Sequence, residues 1–182
     1  MSPAPVKASN DDILAAARAI AAARGGESLS LNEVAETVGI RAPSLYKRFA
    51  NRAALMEAVR ESVLADLATL LRKAQRGQNG PAAVKAMAGA YRAWARREPH
   101  LYRLIHAGPS AGVTDAARTA TAPVLEEMTA LVGARDALSA ARLLTAFLHG
   151  FVTMEIGGEF KMGGSVDAAF AFGLETIIKG LK

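Results

Sequence analysis

Apolar residues recur every three or four positions along most of this chain, which is the spacing of amphipathic helices. The pattern predicts a helix over 11–24, two short helices within 31–49, and a long helix over 51–75. Further helices are expected over 81–97, from 99, over 123–131, 136–156 and 165–181, with a weaker one before Pro123. No run alternates polar and apolar residues with β-branched side chains. The chain is therefore predicted to be all-α.

The two short helices are bounded by residues that start and stop helices. Ser30 and Glu33 have the three-residue spacing of a capping box. Gly39 can take the positive φ that ends a helix, and Pro43 suits a first helical position. Together these signals predict a helix-turn-helix, whose second helix lies in the DNA major groove where this motif binds DNA.

The outer face of this motif is basic. Arg41, Lys47, Arg48 and Arg52 fall within twelve positions that contain no acidic residue. Such a one-signed patch favours contacts with phosphate groups. A solvated basic face on an ordinary helical hairpin has the same composition, so the pattern alone leaves both readings open.

The segment 39–55, GIRAPSLYKRFANRAAL, resembles the signature of the TetR family of bacterial transcription regulators. The matching residues are Gly39, Ile40, Ser44, Leu45, Tyr46, Phe49, Asn51, Arg52 and Leu55. Two positions depart from the family pattern: Arg52 replaces the usual Lys, and Ala53 stands where an acid is common. The resemblance implies an N-terminal DNA-binding head over 1–55 and a ligand-binding and dimerisation body over 56–182, with a linker near 76–81.

The family pattern also assigns roles on the second helix. Tyr46 and Lys47 are expected to hold phosphates, Ser44 and Arg41 to approach base edges, and Arg52 to contact phosphate at the next helix start. The full set predicted to contact DNA is Ser30, Arg41, Ala42, Pro43, Ser44, Tyr46, Lys47, Arg48 and Arg52. Helix capping alone would also account for Ser30.

The segment 143–160 resembles the C-terminal WHG domain of some family members, although the usual tryptophan is absent. The matching residues are His149, Gly150, Glu155, Gly158 and Phe160. His149 has two interpretations, a core histidine satisfied by Thr145 or Thr153 and a hydrogen-bonding group in an effector pocket. In the family this pocket lies in the helical body. The candidates are Met87, Tyr91, Trp94, Tyr102, Ile105, His106, Phe147 and His149, each of which could equally be an ordinary core residue.

In the family, the last two long helices of each subunit form a four-helix dimer interface. The resemblance therefore implies a homodimer, with Phe151, Phe170, Leu174, Ile177 and Ile178 as candidate interface residues. The alternative is that both apolar stripes close the core of a single chain.

Composition narrows the remaining function classes. The 182 residues carry a net charge of +5, and they include no cysteine and three histidines without metal-ligand spacing. No glycine-rich phosphate loop follows a strand, and Glu126 and Glu127 are adjacent and so face different ways. We therefore expect no enzyme activity, cofactor or metal. The longest charge-free apolar run, 143–154, is shorter than the roughly 18 residues of a membrane span. Without a secretion signal, the protein is expected to be cytoplasmic.

The resemblance thus implies a homodimeric repressor that binds a palindromic double-stranded DNA operator. A small apolar or aromatic effector is expected to release it. The alternative is a helical small-molecule-binding or adaptor protein without DNA activity, and the basic patch at 41–52 argues against it.

Overall fold

A computed structural model describes residues 8–107 and 114–181. The loose arm predicted at 1–8 falls outside this part apart from Ala8, and the loop predicted at 108–113 falls outside it entirely. The described residues form nine α-helices and no strand, which confirms the all-α prediction. The helices are α1 (Asn10–Arg24), α2 (Leu31–Thr37), α3 (Ala42–Tyr46), α4 (Arg52–Gln75), α5 (Gly80–Arg97), α6 (Pro99–His106), α7 (Asp115–Val132), α8 (Ala137–Ile156) and α9 (Val166–Gly180).

The chain divides into two compact units. In the described residues, unit 1 consists of 8–63 and 98–107, and unit 2 consists of 64–97 and 114–181. The division falls inside α4, and α6 belongs to unit 1. These units are defined by packing alone, so they do not test the functional boundary expected after residue 55. That boundary stays a prediction.

Unit 1 is built around the buried side chains of α1 to α4. Ile13, Val34, Leu45 and Leu55 are fully buried there. The helix α1 begins with a capping box, in which Ser9 Oγ accepts from the Asp12 amide (3.0 Å) and Asp12 Oδ2 accepts from the Ser9 amide (2.7 Å).

The capping box predicted at the start of α2 is wrong. Ser30 is the residue before α2, but its side chain makes no capping hydrogen bond. Glu33 instead forms an ion pair with Arg24 at the end of α1. A charged donor is a stronger partner for a carboxylate than a backbone amide, so the tertiary contact replaces the local one.

Unit 2 is a helical bundle with one hydrophobic core. Side chains of α5, α7, α8 and α9 meet there, among them Val84, Met128, Leu144 and Leu174. The close approach of α8 and α9 requires a glycine, because a Cβ at Gly173 would lie 2.5 Å from the Phe147 ring.

The break predicted at Pro123 is wrong, because α7 is one helix from Asp115 to Val132 with Pro123 inside it. Proline removes one backbone hydrogen bond from a helix. Here its ring is fully buried among the body helices. Burial of α7 against α5 and α8 therefore outweighs the local preference for a break.

The apolar middle of α8 predicts burial on more than one side, and the single chain buries it along one stripe only. Leu144, Leu148 and Val152 form a buried stripe, whereas Leu143 is 52% exposed and Met154 40% exposed. By length and composition alone, α8 could also cross a membrane, unlike the other described helices. The charge-free run used in the sequence analysis is shorter because α8 includes Arg142 and Glu155, and the core helix of a soluble protein meets the same criterion of length and composition.

Candidate DNA interface and effector site

The turn between α2 and α3 presents α3 at the surface of unit 1. Gly39 has a φ of 70°, as predicted, and the Ile40 amide donates to the Ala35 carbonyl (2.9 Å). Pro43 lies in the first turn of α3, and Leu45 anchors the helix with a fully buried side chain. A single buried anchor on a five-residue helix leaves the other faces of α3 free to meet a partner.

Most residues predicted to contact DNA are exposed around α3. Arg41, Pro43, Ser44, Tyr46 and Lys47 are exposed. Ala42 is half-buried, and Ser30 is exposed at the start of α2. Within 8–107 and 114–181, neither Arg41 nor Lys47 has a side-chain hydrogen bond or an ion pair. Two uncompensated cations therefore flank the exposed helix.

The other two cations of the patch donate to backbone carbonyls. Arg48 Nη1 donates to the Ala8 carbonyl (2.5 Å) and to Asn10 Oδ1 (3.4 Å), at the start of α1. Arg52 Nε donates to the Leu29 carbonyl (2.9 Å), and its Nη2 donates to the Gly26 carbonyl (2.5 Å). Carbonyls carry no net charge, so the patch keeps its full positive charge.

The predicted effector residues are divided between the two units. In unit 2, Met87 and Trp94 of α5 are buried, and Tyr91, Phe147 and His149 are half-buried. The Tyr91 and Trp94 rings lie 6.2 Å apart. This aromatic pair lies beside the hydrophobic core, which Tyr91 contacts.

Unit 1 contains the other three predicted effector residues. Tyr102 and Ile105 are buried, and His106 is exposed with its ring centroid 4.9 Å from that of Tyr102. The Ile105 carbonyl lies 3.5 Å from Arg60 Nε of α4. Packing within unit 1 thus accounts for most of the surface of Tyr102 and Ile105, whereas His106 stays exposed.

The residues predicted at the dimer interface lie mainly in the core of unit 2. Phe170, Leu174 and Ile178 are buried there, and Phe151 and Ile177 are half-buried. The apolar side chains of α8 and α9 that remain uncovered are different ones. They are Leu138, Leu143, Met154 and Phe172, of which Phe172 is 75% exposed.

Sequence reasoning missed an ion cluster between α5, α8 and α9, in which Arg92 and Glu155 are largely buried and Asp167 is exposed. Arg92 Nε and Nη2 donate to the two Glu155 oxygens at 2.7 and 2.6 Å, and Nη2 also lies 2.7 Å from Asp167 Oδ1. The Arg92 guanidinium lies 4.6 Å from the centre of the Phe170 ring, a cation–π distance. Arg92 interrupts the buried apolar series Val84, Ala88 and Ala95. A charged residue on such a stripe was the one sequence signal that could have indicated the cluster.

The electrostatics of this cluster favour its charged form. The hydrogen bonds that the Arg92 guanidinium donates to Glu155 raise its pKa above the ordinary value, against the opposing effect of burial. A bidentate arginine–carboxylate pair fixes both partners in one plane. The cluster therefore fixes the end of α8 and the start of α9 against α5.

Comparisons with known proteins agree over the whole described fold. A family model for bacterial regulatory proteins of the tetR family matches residues 13–59. A model for the tetracyclin repressor-like C-terminal domain matches residues 84–177, which include the segment that resembles the WHG domain. The first match contains α2, the turn and α3, and the second contains the ion cluster of unit 2.

Individual relatives give the same result. The chain is 34% identical, over 159 residues, to an HTH-type transcriptional regulator of Mycobacterium tuberculosis, Rv0681, covering 85% of this chain and 73% of that protein. A protein of unknown function from Rhodococcus sp. RHA1 has a similar structure, with a TM-score of 0.83, 26% identity, and coverage of 99% and 98% of the two chains. A TetR variant from Acinetobacter baumannii AYE in complex with minocycline shares the fold, with a TM-score of 0.72, 23% identity, and coverage of 96% of each chain.

Proposed function

The chain belongs to the tetR family of bacterial regulatory proteins, and we propose that it is a homodimeric repressor. It binds a palindromic double-stranded operator through α3, and a small apolar or aromatic effector releases it. The observation that carries the proposal is the exposed α3 with its two uncompensated cations, Arg41 and Lys47. Lys47 and Tyr46 supply phosphate contacts, and Ser44 approaches base edges, as the family pattern implies. We assign Arg41, which that pattern places at base edges, to phosphate instead, because it is an uncompensated cation directly before the first turn of α3.

The surface that we propose for dimerisation is the uncovered face of α8 and α9. Leu143, Ala146, Gly150 and Met154 follow one another at helical spacing along α8, and all four are exposed. Phe172 adds a large exposed ring from α9. A second copy of the chain would bury this apolar face, and two-fold symmetry would give two heads for a palindrome.

The effector that we propose is apolar or aromatic, because the residues around Tyr91 and Trp94 offer rings and aliphatic side chains and few charges. The same site would include Met87, Phe147 and His149 of unit 2. Tyr102, Ile105 and His106 of unit 1 remain predicted effector contacts.

Release requires that an event in the body reaches the head. The helix α4 is the continuous element that belongs to both units. Near its C-terminus, Arg72 forms an ion pair with Glu126 of α7, and the Gln75 side chain donates to Glu127 (2.7 Å). A shift of α7 on effector binding would therefore displace α4. Regulators of this family are generally not enzymes, and a repressor of this kind acts in the cytoplasm.

Selection of bound sequences from a random pool of duplex DNA tests the proposal. We expect a palindromic winner, bound by two chains, with an affinity that falls as salt rises. If a folded dimer enriches no sequence, even after refolding to remove a copurified ligand, the repressor proposal is wrong. The alternative, a helical small-molecule-binding or adaptor protein without DNA activity, would then be preferred.

A further inference from the structure

We propose that Arg52 is a positioning residue of the DNA-binding head, which ties the first turn of α4 to the segment between α1 and α2. The family pattern instead predicts that this position contacts phosphate. The inference rests on the proposed DNA-binding function. It identifies a contact that holds the segment before α2 in place for that function.

The hydrogen bonds of Arg52 carry the inference. Its Nε and Nη2 form one edge of the guanidinium plane, and they donate to the carbonyls of Leu29 (2.9 Å) and Gly26 (2.5 Å). These two carbonyls flank the turn that leads into α2. Because the guanidinium is a rigid fork, the two bonds fix the direction of the turn relative to α4. A lysine at this position carries the same charge but cannot donate from a planar fork.

Packing at the same turn supports this role. A Cβ at Gly26 would lie 2.7 Å from Met56 Cε of α4 and 3.4 Å from Leu104 Cδ1 of α6. Leu29, three residues later, is buried. The turn is thus held by hydrogen bonds from α4 and by side chains of α4 and α6. Displacement of the first turns of α4 would pull directly on the entry to α2.

This arrangement divides the basic patch by function. Arg52 and Arg48 donate to backbone carbonyls, whereas Arg41 and Lys47 have no side-chain partner in the described parts of the chain. Arg52 then contributes its charge to the field of the patch, while Arg41 and Lys47 make the direct phosphate contacts.

Hydrogen exchange of the free protein tests the positioning role without DNA. In Arg52→Lys, we expect the amides of Ser28, Leu29 and Val34 to exchange about tenfold faster, because the turn opens more often while the rest of unit 1 is unchanged. Arg41→Lys is the matched control and should leave these amides unchanged. Wild-type exchange at all three amides in Arg52→Lys would overturn the proposal.

Binding to a mixed-sequence duplex tests whether Arg52 is a phosphate ligand. We expect Lys47→Ala to change the slope of log affinity against log salt by about one per chain. Arg52→Ala should change this slope by less than about half as much. Equal changes for Arg52→Ala and Lys47→Ala would contradict the division of roles. If the wild type binds no duplex while the amides respond as expected, the repressor proposal fails and the positioning role stands.

Discussion

The head and the body use arginine in opposite ways. At the α3–α4 junction, Arg48 and Arg52 donate to neutral backbone carbonyls, and no carboxylate in the described parts of the chain pairs with them. At the α5–α8–α9 junction, Arg92 is buried and is paired with two carboxylates, Glu155 and Asp167. Both arrangements fix one element against another, but only the second neutralises the guanidinium.

The difference follows from what each region must do. A surface that binds a polyanion loses affinity for each cation that an acid neutralises, so carbonyl partners keep the charge available. A buried guanidinium without a counter-charge would cost several kcal/mol, so the body needs its carboxylates. The comparison predicts that arginine substitutions in the two regions will differ in stability, in pH dependence and in DNA binding.

The largest effect is expected for Arg92→Ala. Removing the guanidinium leaves the Glu155 carboxylate, whose side chain is only 12% exposed, without its bidentate partner. We expect a loss of about 3–5 kcal/mol in the free energy of unfolding. Urea denaturation measures this loss. Arg96→Ala is the control, because Arg96 is a more exposed member of the same cluster. A loss below about 1 kcal/mol would mean that the cluster is not essential to the body.

A smaller effect is expected for Arg48→Ala in the head. Its bonds to Ala8 and Asn10 are only partly buried, and water can replace the lost donor at both acceptors. We expect a loss of about 1 kcal/mol in the free energy of unfolding. Urea denaturation of Arg48→Ala and Arg92→Ala in parallel measures the ratio of their two losses in the free energy of unfolding. Equal losses for the two variants would remove the distinction between carbonyl-bound and carboxylate-bound arginines.

The ion pair between Arg72 and Glu126 should give a still smaller, pH-dependent contribution. The hydrogen bond from Arg72 lowers the pKa of Glu126 below its ordinary value of 4.5. Its contribution is therefore complete above that value and is lost as the pH falls through the lowered pKa. Because both side chains are about half exposed, the contribution is about 0.5 kcal/mol.

Comparing the wild type with Glu126→Gln across this range measures the contribution of the pair. The difference in the free energy of unfolding should be present at neutral pH and should disappear in acid. A difference that persists or grows in acid would show that charge is not its origin.

The smallest effect on stability is expected for Lys47→Ala. Lys47 is exposed, so the free energy of unfolding should change by less than about 0.5 kcal/mol. Affinity should nevertheless fall to a similar extent for all duplex sequences, because a phosphate contact carries no base information. Anisotropy titrations with two unrelated duplexes measure this, and a loss confined to one sequence would mean that Lys47 contacts bases.

Local signals in the sequence were sufficient for much of the head. The positive φ of Gly39 and the position of Pro43 are properties of short segments, and the structure agrees with each. Errors occurred where a distant residue competes with a local one. Glu33 pairs with Arg24 rather than with the start of its own helix.

The body depended more on tertiary packing, which one sequence does not reveal. An apolar stripe on α9 is equally suited to a chain's own core and to a partner, and Phe170, Leu174 and Ile178 are in the core. The Arg92 cluster joins residues 63 positions apart, so no local pattern indicates its pairing. Pro123 likewise favours a break locally, and only burial keeps α7 continuous.

The most direct test of DNA binding by the head is the salt dependence of wild-type affinity for a mixed-sequence duplex. In the proposed dimer, two uncompensated cations in each chain would give four phosphate contacts, which at about 0.9 per contact corresponds to a slope of about −3.6. The account predicts a linear dependence with this slope or a steeper one. A folded dimer whose affinity is independent of salt, or that binds no duplex, would contradict the assignment of α3 and its flanking cations as the DNA-binding surface.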